Sequence, residues 1–165
     1  MFWRLSSLSE KRSIALRSLA LAAALLALPP TGLASADGPR INEFMAANDD
    51  IRDEDADTSD WLEIYNPTSE IADLRGWFLT DQSGDLAKWA FPDITIPPYE
   101  CLFVWASGKN RTNQPSALHT NFRLSKQGGF VALVKPDGST VASSMAYPVQ
   151  YDNISYGVSP SDATV

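Results

Sequence analysis

The chain has 165 residues, 13 of them basic and 20 acidic, for a formal net charge of −7, and a single cysteine. Such an acidic balance speaks against DNA or RNA as a partner, because a phosphate backbone is held mainly by Lys and Arg. One cysteine cannot form an internal disulfide, so the fold must be held by packing.

Residues 1–36 have the make-up of a cleavable secretory signal peptide. Arg4, Lys11, Arg12 and Arg17 form a basic leader, Leu19 to Leu28 is a Leu/Ala run, and Ala34-Ser35-Ala36 supplies small residues before a cut ahead of Asp37. Ten apolar residues fall well short of the roughly 20 that cross a bilayer, so no stable membrane span is expected after cleavage. The remainder, 37–165, carries 9 basic and 19 acidic side chains, a net of −10, and suits one domain with one hydrophobic core. Its expected location is secreted, periplasmic or at the cell surface.

From Asp37 onward, turn-forming residues recur every eight to twelve positions, the spacing of an all-β sandwich or barrel. Strands are predicted at 41–46, 61–65, 77–81, 88–91, 94–96, 101–105, 130–134, 140–146 and 154–157, with loops at 47–59, 82–87, 107–121 and 147–153. In the second strand Leu62 and Ile64 point opposite to Trp61, Glu63 and Tyr65, as a half-buried strand requires. Pro97-Pro98 ends the segment 94–96, since proline donates no ladder hydrogen bond. The apolar run Cys101-Leu102-Phe103-Val104-Trp105 follows, and Cys101 is expected to be a buried, inert thiol. The clearest hairpin joins 130–134 to 140–145 through Lys135-Pro136-Asp137-Gly138, where the proline presets φ and the glycine accepts a positive one.

Several separated motifs together resemble the lamin-tail domain, an immunoglobulin-like β-sandwich. They are Gly76-Trp77, then Lys88-Trp89-Ala90-Phe91-Pro92, then Val104-Trp105-Ala106-Ser107-Gly108. The Ile41-Asn42-Glu43-Phe44 strand, the Asp60-Trp61-Leu62-Glu63-Ile64-Tyr65-Asn66 strand and the segment Leu118 to Ser125 are similar to exported bacterial versions in particular. The resemblance covers about 41–157, in order. It implies architecture and a binding or spacing role, and brings no catalytic residues with it.

Candidate chemistry concentrates in the acidic loop. Asp49, Asp50, Asp53, Glu54, Asp55, Asp57, Asp60 and Glu63 crowd into fifteen positions opposed only by Arg52. Asp53, Asp55 and Asp57 reproduce the start of a calcium loop, but Thr58 replaces the turn glycine and Glu63 falls one position short of the bidentate glutamate. A solvated loop whose charges oppose edge-to-edge pairing is the leading expectation, with calcium at these three aspartates as the alternative. His119, the sole histidine, has no nucleophile elbow near it in sequence and is expected to make a local hydrogen bond that serves stability alone. Asp60 with Glu63 could in principle cleave a glycosidic bond, yet no cleft is predicted around them. Trp77, Trp89 and Trp105 are expected inside the sandwich or at its edges, while Trp61 and Tyr65 share a strand face from which rings could stack on sugars.

The function expected is a non-catalytic, exported module for binding, adhesion or spacing, with a protein or surface glycan as partner and no cofactor. The alternatives are the N-terminal part of a longer exported multidomain enzyme, and a free-standing carbohydrate or calcium binder.

Overall fold

The computed structural model describes residues 38–113 and 117–158. The signal peptide expected at 1–36 and the polar end at 159–165 lie outside the described residues. No α-helix occurs among the described residues, and eleven strands do. In chain order they are β1 (Arg40–Met45), β2 (Asp60–Tyr65), β3 (Ala72–Asp73), β4 (Phe78–Thr80), β5 (Trp89–Ala90), β6 (Thr95–Ile96), β7 (Cys101–Ala106), β8 (Leu118–His119), β9 (Gly129–Val134), β10 (Val141–Tyr147) and β11 (Tyr156–Gly157). One sheet runs β11-β1-β2-β7-β8, a second runs β10-β9-β4-β5, and β3 pairs with β6 in a short ribbon. All pairings are antiparallel except β7 with β8.

One core fills the space between the two larger sheets. Phe44, Leu62, Ile64 and Val104 from the first meet Leu79, Trp89, Val131 and Leu133 from the second, all fully or almost fully buried. The architecture is an all-β arrangement of facing sheets consistent with an immunoglobulin-like sandwich. Alternation explains Leu62 and Ile64 directly. It does not explain Ile41 and Phe44, which are three apart yet both 0 % exposed. A register shift between Ile41 and Glu43 resolves this, because one extra residue in β1 returns Phe44 to the inner face. Along the seam between the sheets, the Ile41 N–H donates to the Ser143 hydroxyl at 3.2 Å.

The nine predicted strands are all present, within a residue or two at most ends. Two further strands, β3 and β8, are additions, and β8 lies inside the segment 107–121 expected to be loop. The 135–138 turn has the expected form. Gly138 takes φ 67°, its N–H donates to the Lys135 carbonyl at 2.9 Å, and Asp137 Oδ1 receives the N–H groups of Ser139 and Thr140. Pro97-Pro98 does end β6, and Tyr99 at φ 59° swings the chain into β7.

Cys101 corrects the expectation of burial: it is exposed. It opens β7 opposite Tyr65, on the outer face of its sheet, because the inner register of that strand falls to Val104 and Ala106. Partial burial, with Glu63 and Glu43 beside it, still pushes the thiol up to about 11. It is therefore protonated at neutral pH and a poor nucleophile.

Candidate functional site at the acidic-loop end

The acidic loop folds back on itself before it touches anything else. Asn48 is 3 % exposed and pins both ends. Its Nδ2 donates to the carbonyls of Ile51 and Ser59 at 2.6 and 2.7 Å, and its Oδ1 accepts from the Ile51 N–H. Within the loop, Asp53 Oδ1 receives the backbone N–H groups of Asp55 and Asp57, and Ser59 Oγ donates to Asp53 Oδ2 at 2.8 Å. Ala56 adopts φ 67°, a left-handed conformation that a non-glycine residue accepts only under such constraint. The solvated-loop expectation thus fits Asp49, Asp50 and their exposed neighbours, but not Asp53, which is buried.

Asp53, Asp55 and Asp57 converge as their spacing suggested, with one carboxylate oxygen from each within 4.8 Å of the others. The Lys109 ammonium sits among them, 2.6, 2.7 and 3.0 Å from the three. Arg111 extends the clip, reaching Asp55 at 2.7 Å and Glu54 at 3.2 Å. A divalent cation here would have to displace Lys109, and Asp53 has already committed its oxygens to Ser59, Lys109 and two backbone donors. As arranged, the three carboxylates hold the Lys109 ammonium.

The same contacts bias the charge states of the clip. Burial would raise the Asp53 carboxyl, but Lys109, Ser59 and the backbone donors outweigh it and hold it well below the usual range. For Asp55 the Arg111 hydrogen bond leads and Lys109 adds to it, again lowering the carboxyl. Burial works against the Lys109 charge, yet the three carboxylates raise its pKa.

His119 occupies β8 with no exposure at all. Its Nε2 donates to Glu54 Oε1 at 2.7 Å, and its Nδ1 lies 2.8 Å from the Ser107 hydroxyl, which itself accepts from the Lys109 N–H. The expected local hydrogen bond is therefore replaced by two long-range ones that join β7, β8 and the acidic loop. The order Ser107–His119–Glu54 has the composition of a nucleophile, base and orienting acid. However, Ser107 is 2 % exposed and its hydroxyl is spent inside the clip.

Beside the clip lies a cleft of about 320 Å³, lined by Asp57, Thr58, Ser59, Asp60, Ala106, Ser107 and Arg123. Its presence beside Asp60 corrects the sequence expectation of none. Glu63, three residues on, alternates to the outer face opposite Phe103 and Glu43, so the two acids do not share the cleft. Burial raises Asp60 to about 6, against the backbone N–H groups of Asn48 and Leu124 and the Arg123 charge. Arg123 lies over Gly108 and donates Nε to the Ser107 carbonyl at 2.8 Å. Gly108 takes φ 78°, a left-handed conformation that favours glycine, and the Arg123 side chain lies in contact range above it.

The tryptophans divide between two layers. Trp89 is in the core and Trp77 packs against it, as expected. Trp105 departs from the expectation of a place inside the sandwich or at its edges: with Trp61, its partner across β2 and β7, and Met45 it forms a separate buried cluster on the outer face, the two indoles 7 % and 6 % exposed and the half-exposed Phe103 ring between them. Only Phe103 of this group presents an open ring, so the predicted stacking platform at Trp61 is covered. Sequence reasoning passed over Lys109, Ser107 and Arg123. The signal available was that Lys109 and Arg111 are the only cations of the 107–121 segment, facing a chain with a surplus of acid in 47–59.

The facing sheets and the core between them are consistent with an immunoglobulin-like module. The lamin tail domain family model matches residues 34–148. The chain belongs to that family, which is a family of non-enzymatic modules. No curated protein matches it.

Proposed function

We propose that this chain is a non-catalytic module that is exported and works in binding, adhesion or spacing at or outside the cell surface, with a protein or surface glycan as its partner. The observation that carries the non-catalytic reading is the internal consumption of reactive groups. His119 is buried between Ser107 and Glu54, and Lys109 is held by three carboxylates. Lys109 so paired is a poor nucleophile, and Ser107 and His119, 2 % and 0 % exposed, are closed to a substrate until the clip opens. The signal-like leader and the net charge of −10 in residues 37–165 support a role outside the cytoplasm.

The Ser107–His119–Glu54 row favours a second reading, an acyl-transfer enzyme, and one experiment separates the two. The tagged full-length chain is expressed in a secreting host, fractionated and assayed against simple esters. The expected result is a processed chain outside the cytoplasm, starting near Asp37, with ester turnover no different from its Ser107→Ala variant. Retention of the leader in the cytosol would end the export reading, and turnover abolished in Ser107→Ala would end the non-catalytic one.

A further inference from the structure

The cleft beside the clip holds a balanced pair of charges that do not neutralise each other. Of its seven lining residues, Asp57 is committed to Lys109, Ser59 to Asp53, and Ser107 to His119 and Lys109. Thr58, Asp60 and Arg123 supply the remaining polar groups of the lining: Asp60 accepts from the backbone N–H groups of Asn48 and Leu124, and Arg123 spends its Nε on the Ser107 carbonyl, which leaves its two terminal nitrogens. The ion pairs among the described residues use Arg75, Lys88, Lys109, Arg111, His119 and Lys126, and Arg123 enters none of them. Asp60 and Arg123 therefore feel each other across the cleft without touching.

That arrangement selects by charge. A free anion gains Arg123 but meets Asp60 and the Asp57 edge, and a cation gains Asp60 but meets Arg123. A neutral ligand with a donor and an acceptor side by side satisfies both at once. Adjacent hydroxyl groups do this, since each hydroxyl donates and accepts. Arg123 is already held by the Ser107 carbonyl and the floor at Gly108, so little side-chain freedom is lost on binding.

The surroundings argue against an extended peptide. A strand-like ligand needs an unpaired edge, but β2 flanks β7 on one side and Ser107 is bridged to Arg123 on the other. Side-chain recognition needs apolar walls, and Ala106 is the one apolar residue of the lining. The volume sits at the low end of the range of about 300–1,000 Å³ for small-molecule sites, which suits a single ring.

We infer that the Asp60–Arg123 cleft binds one sugar residue through adjacent hydroxyls, Asp60 accepting from one and Arg123 donating to its neighbour, with Thr58 at the rim. This rests on the binding-module reading and gives its glycan partner a place. It also moves sugar recognition off the covered Trp61 face.

The test is a titration of the intact chain with glucose, mannose, galactose and N-acetylglucosamine in turn, followed by backbone amide NMR shifts, with acetamide as an amide probe. At least one sugar is expected to shift residues 57–60, 106–107 and 123 in a saturable way. Arg123→Met and Asp60→Asn should each weaken that affinity about tenfold, the scale of one lost charge-assisted hydrogen bond. Thr58→Val serves as a milder rim variant, and melting curves show which variants fold. Silence with all four sugars, shifts that survive in a folded Arg123→Met, or a stronger response to acetamide would each overturn the proposal. A chain found outside the cell that ignores sugars would sink this site alone, whereas cytosolic retention would sink the export reading alone.

Discussion

Lys109 decides what the acidic loop is. Three carboxylates spaced like calcium ligands close on its ammonium, and the side chain of Asp53 is wholly buried against it. Removing one partner of a buried pair leaves the other charge uncompensated, so Lys109→Met should cost about 3 kcal/mol, read from denaturant midpoints. The same change empties the cradle of its cation. Millimolar calcium should then raise the melting temperature of Lys109→Met while leaving the parent chain unmoved. A calcium-dependent rise in the parent of equal size would mean that Lys109 is not the occupant the geometry makes it.

At the scale of elements, the readable pieces were those whose cause is local. The β9–β10 hairpin follows from four residues, and its turn depends on a positive φ at Gly138. Gly138→Ala should destabilise by about 1 kcal/mol, the cost of a left-handed conformation in a residue with a Cβ. An unchanged midpoint would show that the turn relaxes to another type. By contrast, β8 has no local cause. Its two residues are extended because β7 pairs with them on one side and Arg111 bridges His119 on the other. Cys101 failed for a related reason. The apolar run 101–105 announces a strand, but which register faces inward depends on the pairing of Leu62 with Val104.

For the whole molecule, two opposed sets of carboxyls shape the response to pH. The folded-state pKa of Asp60 is raised to about 6 from 3.8, so the native state holds a proton there that the unfolded chain releases. Stability from this group falls as pH rises from about 4 to about 6, and the penalty is complete above that, on the order of 2 kcal/mol. Asp53, Glu54 and Asp55 are lowered, so their contribution is present above the unfolded value near 4 and is lost as pH falls further. The melting temperature should therefore be highest near pH ~5 and drop on both sides. Asp60→Asn should flatten the alkaline limb without altering the acid one. An alkaline limb that persists in that variant would place its origin elsewhere.

Sequence alone determined the class of fold and most of its strands, because alternation, proline stops and turn glycines act over a few bonds and carry their reasons with them. It also located the acidic loop and the lamin-tail motifs. Tertiary structure alone decided what that loop does. Lys109 and Arg111 reach it from more than fifty residues away, and the Asp60–Arg123 cleft exists only where β2, β7 and the segment after β8 come together. Charge complementarity over such separations is invisible to any local pattern. Folding sets which oppositely charged groups meet, and here that choice turned a metal-like spacing into a salt-bridged clip with an open cleft beside it.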